Sequence, residues 1–405
     1  TSSRHVRQGI RHYRRGAAIV IIVTNVIYYL FSLSSCCAVA SAGSSSLVDV
    51  FVSGQDGYHT YRIPALIVAK DGALLAFCEG RKKVQSDTGD IDLLVRRSAD
   101  GGKTWTSQEV VWNGGDDTWG NPCPVVDETT GIIWLPITWN HGKDSEDQIK
   151  QNAGRDTRRV FMTHSDDNGR TWATPQEITA EVKRPEWRWY ATGPGVGIQL
   201  SRGPWKSRLL IPCDHSYVQP GDPDGYASHV IYSDDHGQTW KLGGEIRPAV
   251  NECQVVELIE GTLLINMRNY DRTHTVRAVA TSADGGLTWS TIRHDPALVE
   301  PVCQASLSRY TTRPPEDKDR LVFSNPGHGE VGNRRDMTVR LSEDEGKTWP
   351  ISRVLWPGPA AYSCLAVLPD ATLACLFEAG DKSPYEKIVL ARFGRDWLDG
   401  KVEPK

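Results

Sequence analysis

One octapeptide pattern, Ser-x-Asp-x-Gly-x-Thr-Trp, occurs five times in the 405-residue chain. A carboxylate that recurs beside hydroxyl groups could serve as an acid, a base or a calcium ligand. A catalytic site, however, needs one constellation of different groups, whereas these are five equal copies. We therefore interpret the five aspartates as structural residues of turns. The copies are Ser98–Trp105, Ser165–Trp172, Ser233–Trp240, Ser282–Trp289 and Ser342–Trp349.

Each copy has the composition of a β-hairpin turn. The aspartate can accept backbone N–H bonds within the turn, and the glycine permits a positive φ. An extended apolar run precedes every copy, as in DLLVRR and RVFMTH. The tryptophan is then predicted to pack between neighbouring sheets, so the pattern indicates a repeated sheet unit.

The spacing of the copies predicts an all-β, six-bladed β-propeller. Their first residues lie 67, 68, 49 and 60 positions apart, which leaves room for four short strands in each repeat. Residues 43–405 then divide into roughly six blades, and we predict that they form one domain. The sixth blade lacks the octapeptide and is predicted to combine the C-terminal strands with a strand near Leu47–Val52, which closes the ring.

The charge balance argues against a nucleic-acid-binding protein. The chain has 46 Lys and Arg against 50 Asp and Glu, a net charge of −4. Five arginines and no acidic residue lie within residues 1–42, so the remaining body carries a net charge of −9. A nucleic-acid binder needs a basic face that replaces counterions. Seven cysteines follow residue 42 without a C-x-x-C pair or zinc spacing, so we expect no metal site.

Residues 1–42 are predicted to be a secretory signal peptide. Arg14–Arg15 precede an apolar run over 17–33, and Ala40–Ala42 offer small residues for cleavage. An uncleaved membrane anchor is an alternative, because the run approaches the length that spans a bilayer. The segment LSSC, which ends at Cys36, resembles a bacterial lipobox, so a form anchored by a lipid on that cysteine stays open. We expect a secreted or extracytoplasmic protein without a membrane span after removal of the signal.

The order of the motifs resembles one known family. Tyr61–Pro64, with the sequence YRIP, is similar to the motif that opens exo-sialidases of the bacterial and animal glycoside hydrolase family. The Asp boxes of that family match the five octapeptides, and the resemblance extends from Tyr61 to Glu378. It implies a sialidase-like propeller that cleaves terminal α-linked sialic acid with retention of anomeric configuration.

The resemblance implies three arginines that bind the carboxylate of the sugar. Arg62 matches the first, and Arg268, in LLINMRNY, matches the second. For the third, Arg334 fits the family spacing better than its neighbour Arg335. Guanidinium groups bind carboxylates through paired hydrogen bonds. They would also concentrate positive charge in a body that otherwise repels an anionic substrate.

The resemblance also implies a nucleophile, its base and an acid. Tyr362, in AAYSCLAVLPD, matches the nucleophile, and Glu252, in NECQVVEL, matches the base that a phenol titrating near ~10 requires. A neutral phenol avoids the repulsion that an anionic nucleophile would meet at a carbon bearing a carboxylate, and sialidases are the known tyrosine exception among glycosidases. Asp87, in KKVQSDTGD, matches the acid and base at the leaving oxygen, with Asp90 and Asp92 as rivals.

Further pocket residues follow from the same resemblance. Glu378 matches a carboxylate that orients the first arginine, and Arg81 matches an arginine at the pocket rim. Asn121 matches a polar residue on the acetamido side of the sugar, although an Asn before Pro is also typical of a turn. Asp214 and His215 fall where family members contact the glycerol tail of the sugar. No cofactor is implied.

We therefore expect an exo-α-sialidase that acts on sialylated glycoproteins, glycolipids or oligosaccharides. Two alternatives remain at this stage. A trans-sialidase would use the same site and pass the sialyl group to another glycan. A non-catalytic Asp-box propeller would only bind sugar, and it need not keep the arginine triad, the Tyr–Glu pair and the acid together.

Overall fold

Nearly half of the described residues lie in antiparallel strands in the computed structural model, which describes residues 46–219 and 222–401. The predicted signal over 1–42 and its Cys36 lie outside the described residues. Helices are limited to single turns in the described part, namely α1 (Glu146–Lys150), α2 (Thr179–Val182), α3 (Arg395–Leu398) and a 3₁₀ turn at Gly203–Trp205. None of these helices is long and apolar enough to cross a membrane.

The described strands form six antiparallel blades, as the repeats predicted. The first strand, β1 (Ser46–Val52), belongs to the last blade. Blade one contains β2 (Thr60–Val68), β3 (Leu74–Arg81), β4 (Ile91–Ser98) and β5 (Glu109–Trp112). The bridging strand β6 (Thr118–Gly120) leads to blade two, which contains β7 (Val125–Val126), β8 (Ile133–Asn140), β9 (Arg159–Ser165) and β10 (Gln176–Glu177).

The next two blades are built in the same way. In blade three, β11 (Tyr190–Thr192) and β12 (Ile198–Gln199) both pair with β13 (Leu209–Gln219), which is followed by β14 (Asp222–Ser233) and β15 (Lys241–Ile246). Blade four contains β16 (Val250–Glu257), β17 (Leu263–Asn269), β18 (Val276–Ser282) and β19 (Arg293–Val299).

The last two blades share one long strand. Blade five contains β20 (Ser306–Thr311), β21 (Arg320–Pro326), β22 (Arg335–Ser342) and the first half of β23 (Ile351–Val367). From Ala360 onward β23 pairs instead with β24 (Leu373–Ala379), which is followed by β25 (Lys387–Phe393). Strand β1 then pairs with β25, with Ser46 opposite Arg392, so the first strand completes the last blade, as predicted.

The hydrophobic core lies between the faces of neighbouring blades. Strand β3 is buried at all eight positions and β24 at all seven, because both faces of a middle strand are covered by adjacent sheets. All seven cysteines after residue 42 are buried and free, so they act as small apolar side chains rather than as disulfide partners.

The five octapeptides fold as identical turns. In each, the aspartate accepts a bond from the threonine N–H at 2.9 Å, and the serine oxygen accepts one from the glycine N–H at 2.8–2.9 Å. The glycine φ lies between 78° and 89°, and a Cβ added at each glycine would come within 3.1 Å of a side chain of the preceding blade, as at Gly237 beside Trp134. The aspartates therefore hold the turns by hydrogen bonds within the motif, which agrees with the structural interpretation of the five copies.

Candidate active site

A cavity of about 180 Å³ lies where the inner strands of several blades converge. Strand β2 contributes Arg62, β16 contributes Glu252 and β23 contributes Tyr362, so residues far apart in sequence meet in one place. Eight of the nine site residues predicted from the sequence line this cavity, namely Arg62, Arg81, Asp87, Asn121, Glu252, Arg268, Arg334 and Tyr362. The ninth, Glu378, lies fully buried behind the wall.

A tyrosine and a glutamate form a short hydrogen bond in the cavity. The Tyr362 hydroxyl donates to Oε1 of Glu252 at 2.5 Å. The other oxygen of Glu252 accepts a bond from Nη1 of Arg268 at 2.7 Å, so the carboxylate also forms an ion pair with this arginine. Burial and the Glu252 carboxylate raise the pKa of Tyr362 well above 10 despite the neighbouring arginines. The phenol is therefore neutral at neutral pH and donates to a carboxylate oxygen.

Three guanidinium groups surround the same tyrosine. Nη1 of Arg268 lies 3.2 Å from the Tyr362 hydroxyl oxygen. The guanidinium carbons of Arg62 and Arg334 lie 5.0 and 5.6 Å from the centre of the Tyr362 ring. Arg335, the rival for the third position, instead lies beside Asp336 and does not line the cavity. The structure therefore brings together the three arginines expected from the sequence.

Glu378 fixes the first arginine from behind. Its Oε1 accepts bonds from Nε of Arg62 at 2.7 Å and from the backbone N–H of Ile63 at 2.9 Å, while Oε2 accepts one from the backbone N–H of Tyr362 at 3.1 Å. Since Glu378 is 0% exposed, these bonds are shielded from water. One buried carboxylate thus sets the positions of both Arg62 and Tyr362.

Asp87 lies at the mouth of the cavity, in the loop between β3 and β4. Its side chain is 64% exposed, and Oδ1 lies 2.6 Å from Nη2 of Arg81 and 3.8 Å from Nη1 of Arg62. Although partial burial opposes the shift, these two arginines hold the pKa of Asp87 below its usual value. The rivals Asp90 and Asp92 both pair with Lys82 and do not line the cavity.

Further polar residues line the same cavity. Asn121 has a positive φ of 54°, and its Oδ1 accepts a bond from Thr138 at 3.1 Å. Asp214 lines the wall and accepts a bond from Asn251 at 2.7 Å, whereas His215 stacks on Trp187 outside the cavity. The structure therefore separates the two residues that the sequence placed at the glycerol tail.

Comparison with known proteins identifies the family. The family model described as a BNR repeat-like domain matches residues 72–375. The exo-alpha-sialidase of Aspergillus fumigatus is 30% identical over 374 residues, which cover 84% of this chain and 86% of that protein. The chain belongs to the sialidase family. The sialidase of Micromonospora viridifaciens is 35% identical over 370 residues and covers 88% of this chain, which spans only 55% of that relative.

Solved structures of sialidases share the fold. The Hadza microbial sialidase Hz136 is similar to this chain with a TM-score of 0.76 and 31% identity over 87% of this chain and 69% of that one. This similarity agrees with the propeller described above.

The sequence analysis of this sialidase-family chain missed several cavity residues. They are Glu146 in α1, Arg158 just before β9, Trp189 before β11 and Tyr270 after β17. For Arg158 a signal was present, because the alternation of β9 places it on the same buried face as Val160 and Met162. The others lie in segments that carry no repeat, so no local pattern marks them.

Proposed function

We propose that this protein is a retaining exo-α-sialidase that releases terminal α-linked sialic acids from glycoproteins, glycolipids or oligosaccharides. The observation that carries the proposal is the arrangement of Arg62, Arg268 and Arg334 around the Tyr362–Glu252 pair. A sugar carboxylate held by the three guanidinium groups would place the carbon that bears it next to the phenol oxygen. The family membership of the chain supports the same activity.

In the first step, the Tyr362 oxygen attacks the anomeric carbon while the phenol proton moves to Glu252. The bond from that carbon to the leaving oxygen breaks, and Asp87 protonates the leaving oxygen. The product of this step is a tyrosyl-sialyl intermediate and a free aglycone. Asp87 is suited to this role because it lies at the exposed mouth, where an aglycone leaves the cavity.

In the second step, water attacks the same carbon and gives a proton to Asp87, while the phenolate leaves and recovers its proton from Glu252. Each step inverts the carbon, so the released sugar keeps its α configuration. The substrate carboxylate also weakens the pull of Arg62 on Asp87, which favours the protonated aspartate when substrate is bound.

The proposal is tested with 3′- and 6′-sialyllactose and the Tyr362→Phe variant. We expect the unmodified protein to release sialic acid, with the α anomer appearing first by NMR. The variant should lose nearly all turnover while it still binds free sialic acid, because the ring and the arginines remain. A fully active Tyr362→Phe protein would refute the proposed nucleophile, and transfer to excess lactose in place of hydrolysis would indicate a trans-sialidase.

A further inference from the structure

Three side chains of the types that bind metal ions lie together on two elements of blade four. Asp271 and His274 belong to the loop between β17 and β18, and His294 is the second residue of β19. A carboxylate oxygen of Asp271 and one ring nitrogen of each histidine all lie within 4.8 Å of one another. Among the described residues this is the one group of His, Cys, Asp and Glu side chains with that spacing. It contains no cysteine, so the cysteine spacing could not reveal it.

Hydrogen bonds within the loop orient the carboxylate of Asp271. Oδ1 accepts bonds from the backbone N–H of Thr273 at 2.9 Å and from the hydroxyl of the same residue at 2.6 Å. The other oxygen, Oδ2, faces His274, whose Nδ1 lies 2.9 Å away. No lysine or arginine forms an ion pair with Asp271 among the described residues. The carboxylate is therefore held in place, as outer hydrogen bonds hold the ligands of metal sites, and its charge is not balanced by a basic side chain.

The two imidazole rings lie face to face. Their centres are 3.8 Å apart, and their planes differ by 3°. Since the lone pair of an imidazole nitrogen lies in the plane of its ring, one of two parallel rings must turn before both can bind one ion. The side chain of His274 can turn because it is 47% exposed. Ligand atoms around a zinc ion at about 2.0–2.1 Å lie about 3.3 Å apart, so three atoms within 4.8 Å need to close by about 1.5 Å at most.

The ligand types favour zinc over the common hard cations. Imidazole nitrogens together with one carboxylate oxygen suit zinc, with water in the fourth position. Calcium and magnesium instead take oxygen ligands. Residues 43–405 contain 41 Lys and Arg against 50 Asp and Glu, so the net charge of −9 also favours the approach of a cation.

We propose that Asp271, His274 and His294 form a zinc-binding site that joins the loop between β17 and β18 to β19. The loop begins at Tyr270, which lines the cavity, and the guanidinium carbon of Arg268 lies 5.0 Å from the centre of the Tyr270 ring. A bound ion therefore restricts the segment that carries this part of the cavity wall. The site supplies no group to the proposed reaction, so the inference does not depend on the proposed function.

The test is calorimetric titration of the full chain with zinc chloride, after removal of bound metal with a chelator and dialysis. We expect a zinc site whose affinity falls at least about tenfold in His294→Gln and in Asp271→Asn, since loss of even an outer-shell partner costs about 10- to 100-fold in metal affinity. Zinc should also raise the unfolding temperature of the unmodified protein more than that of either variant. Calcium chloride should bind this site far more weakly than zinc.

His328→Gln is the matched control. His328 also lies beside two carboxylates, but Glu330 and Asp336 approach different nitrogens of its ring, at 3.7 and 3.4 Å, so the three do not form a common site. This variant should bind zinc as the unmodified protein does. If His294→Gln fails to fold, His274→Gln replaces it, because that side chain is largely exposed. Absence of zinc binding, zinc affinity that none of the ligand variants lowers, or equally tight binding of calcium overturns the inference.

Discussion

Replacing Glu252 by Gln tests the proposed division of labour between Tyr362 and its base. Glutamine keeps the shape of the side chain and can still accept the bond that the phenol donates at 2.5 Å. It cannot take up the phenol proton at neutral pH. Its amide also cannot balance the charge of Arg268, whose Nη1 lies 2.7 Å from the carboxylate in the unmodified protein.

The size of the expected effect follows from this geometry. Because the pKa of Tyr362 is raised well above 10, attack without a base would start from a phenol that holds its proton tightly. Removal of a positioned general base costs about 10²- to 10⁴-fold in rate, which corresponds to about 3 to 5 kcal/mol of transition-state stabilisation. The loss should appear in kcat, since the three arginines that we propose bind the sugar carboxylate remain in place.

The assay measures kcat and KM on an aryl sialoside for Glu252→Gln, Tyr362→Phe and the double variant. Two residues that act as one unit should not have additive effects, so we expect the double variant to be no slower than Tyr362→Phe within about threefold. Glu257→Gln serves as the control, because Glu257 lies on the same strand but bonds Ser201 outside the cavity. A Glu252→Gln protein that keeps more than about a tenth of kcat would refute the reasoning.

Two further predictions concern the acid and the scaffold. Arg81→Met removes the closest cation to Asp87, so the pKa of this carboxyl should rise. The alkaline limb of the pH profile of kcat/KM on sialyllactose should then move up by about 1 pH unit or more. Lys83→Met is the control, and an alkaline limb that stays in place in Arg81→Met would contradict the role of Arg81. Gly237→Ala should lower the free energy of unfolding by about 2 to 4 kcal/mol in urea titrations, because the new methyl overlaps Trp134 at a φ of 89°. Gly72→Ala, with a φ of 83° and nothing within 4 Å, isolates the backbone strain, and equal losses in both variants would exclude the overlap as the cause.

Two kinds of feature could be predicted from the sequence. The turns are encoded by hydrogen bonds between residues close together in sequence, and the main site residues lie in recognisable motifs. A turn in which an aspartate bonds the N–H of a threonine four residues later is encoded within eight residues, so five copies could define the blades. The cavity wall is different. Arg158 and Glu146 belong to a long segment between β8 and β9, and Asp214 comes from another blade. These residues come close together only because of how the segments between strands cover the cavity. The distances between them along the chain do not reveal that arrangement.

The proposed reaction centre lies at the seam where the ring of blades closes. Arg62 comes from the first blade, whereas Tyr362 and Glu378 come from the last, so the contact of Glu378 with both residues is also a contact between the two ends of the described propeller. The pairing of β1 with β25 holds the same seam from the outer side. The bonds that position the tyrosine against the first arginine therefore stabilise closure as well. For this reason loss of Glu378 should weaken both the closure of the propeller and the arrangement of the site, whereas Glu252 has no bond across this seam between Arg62 and Tyr362.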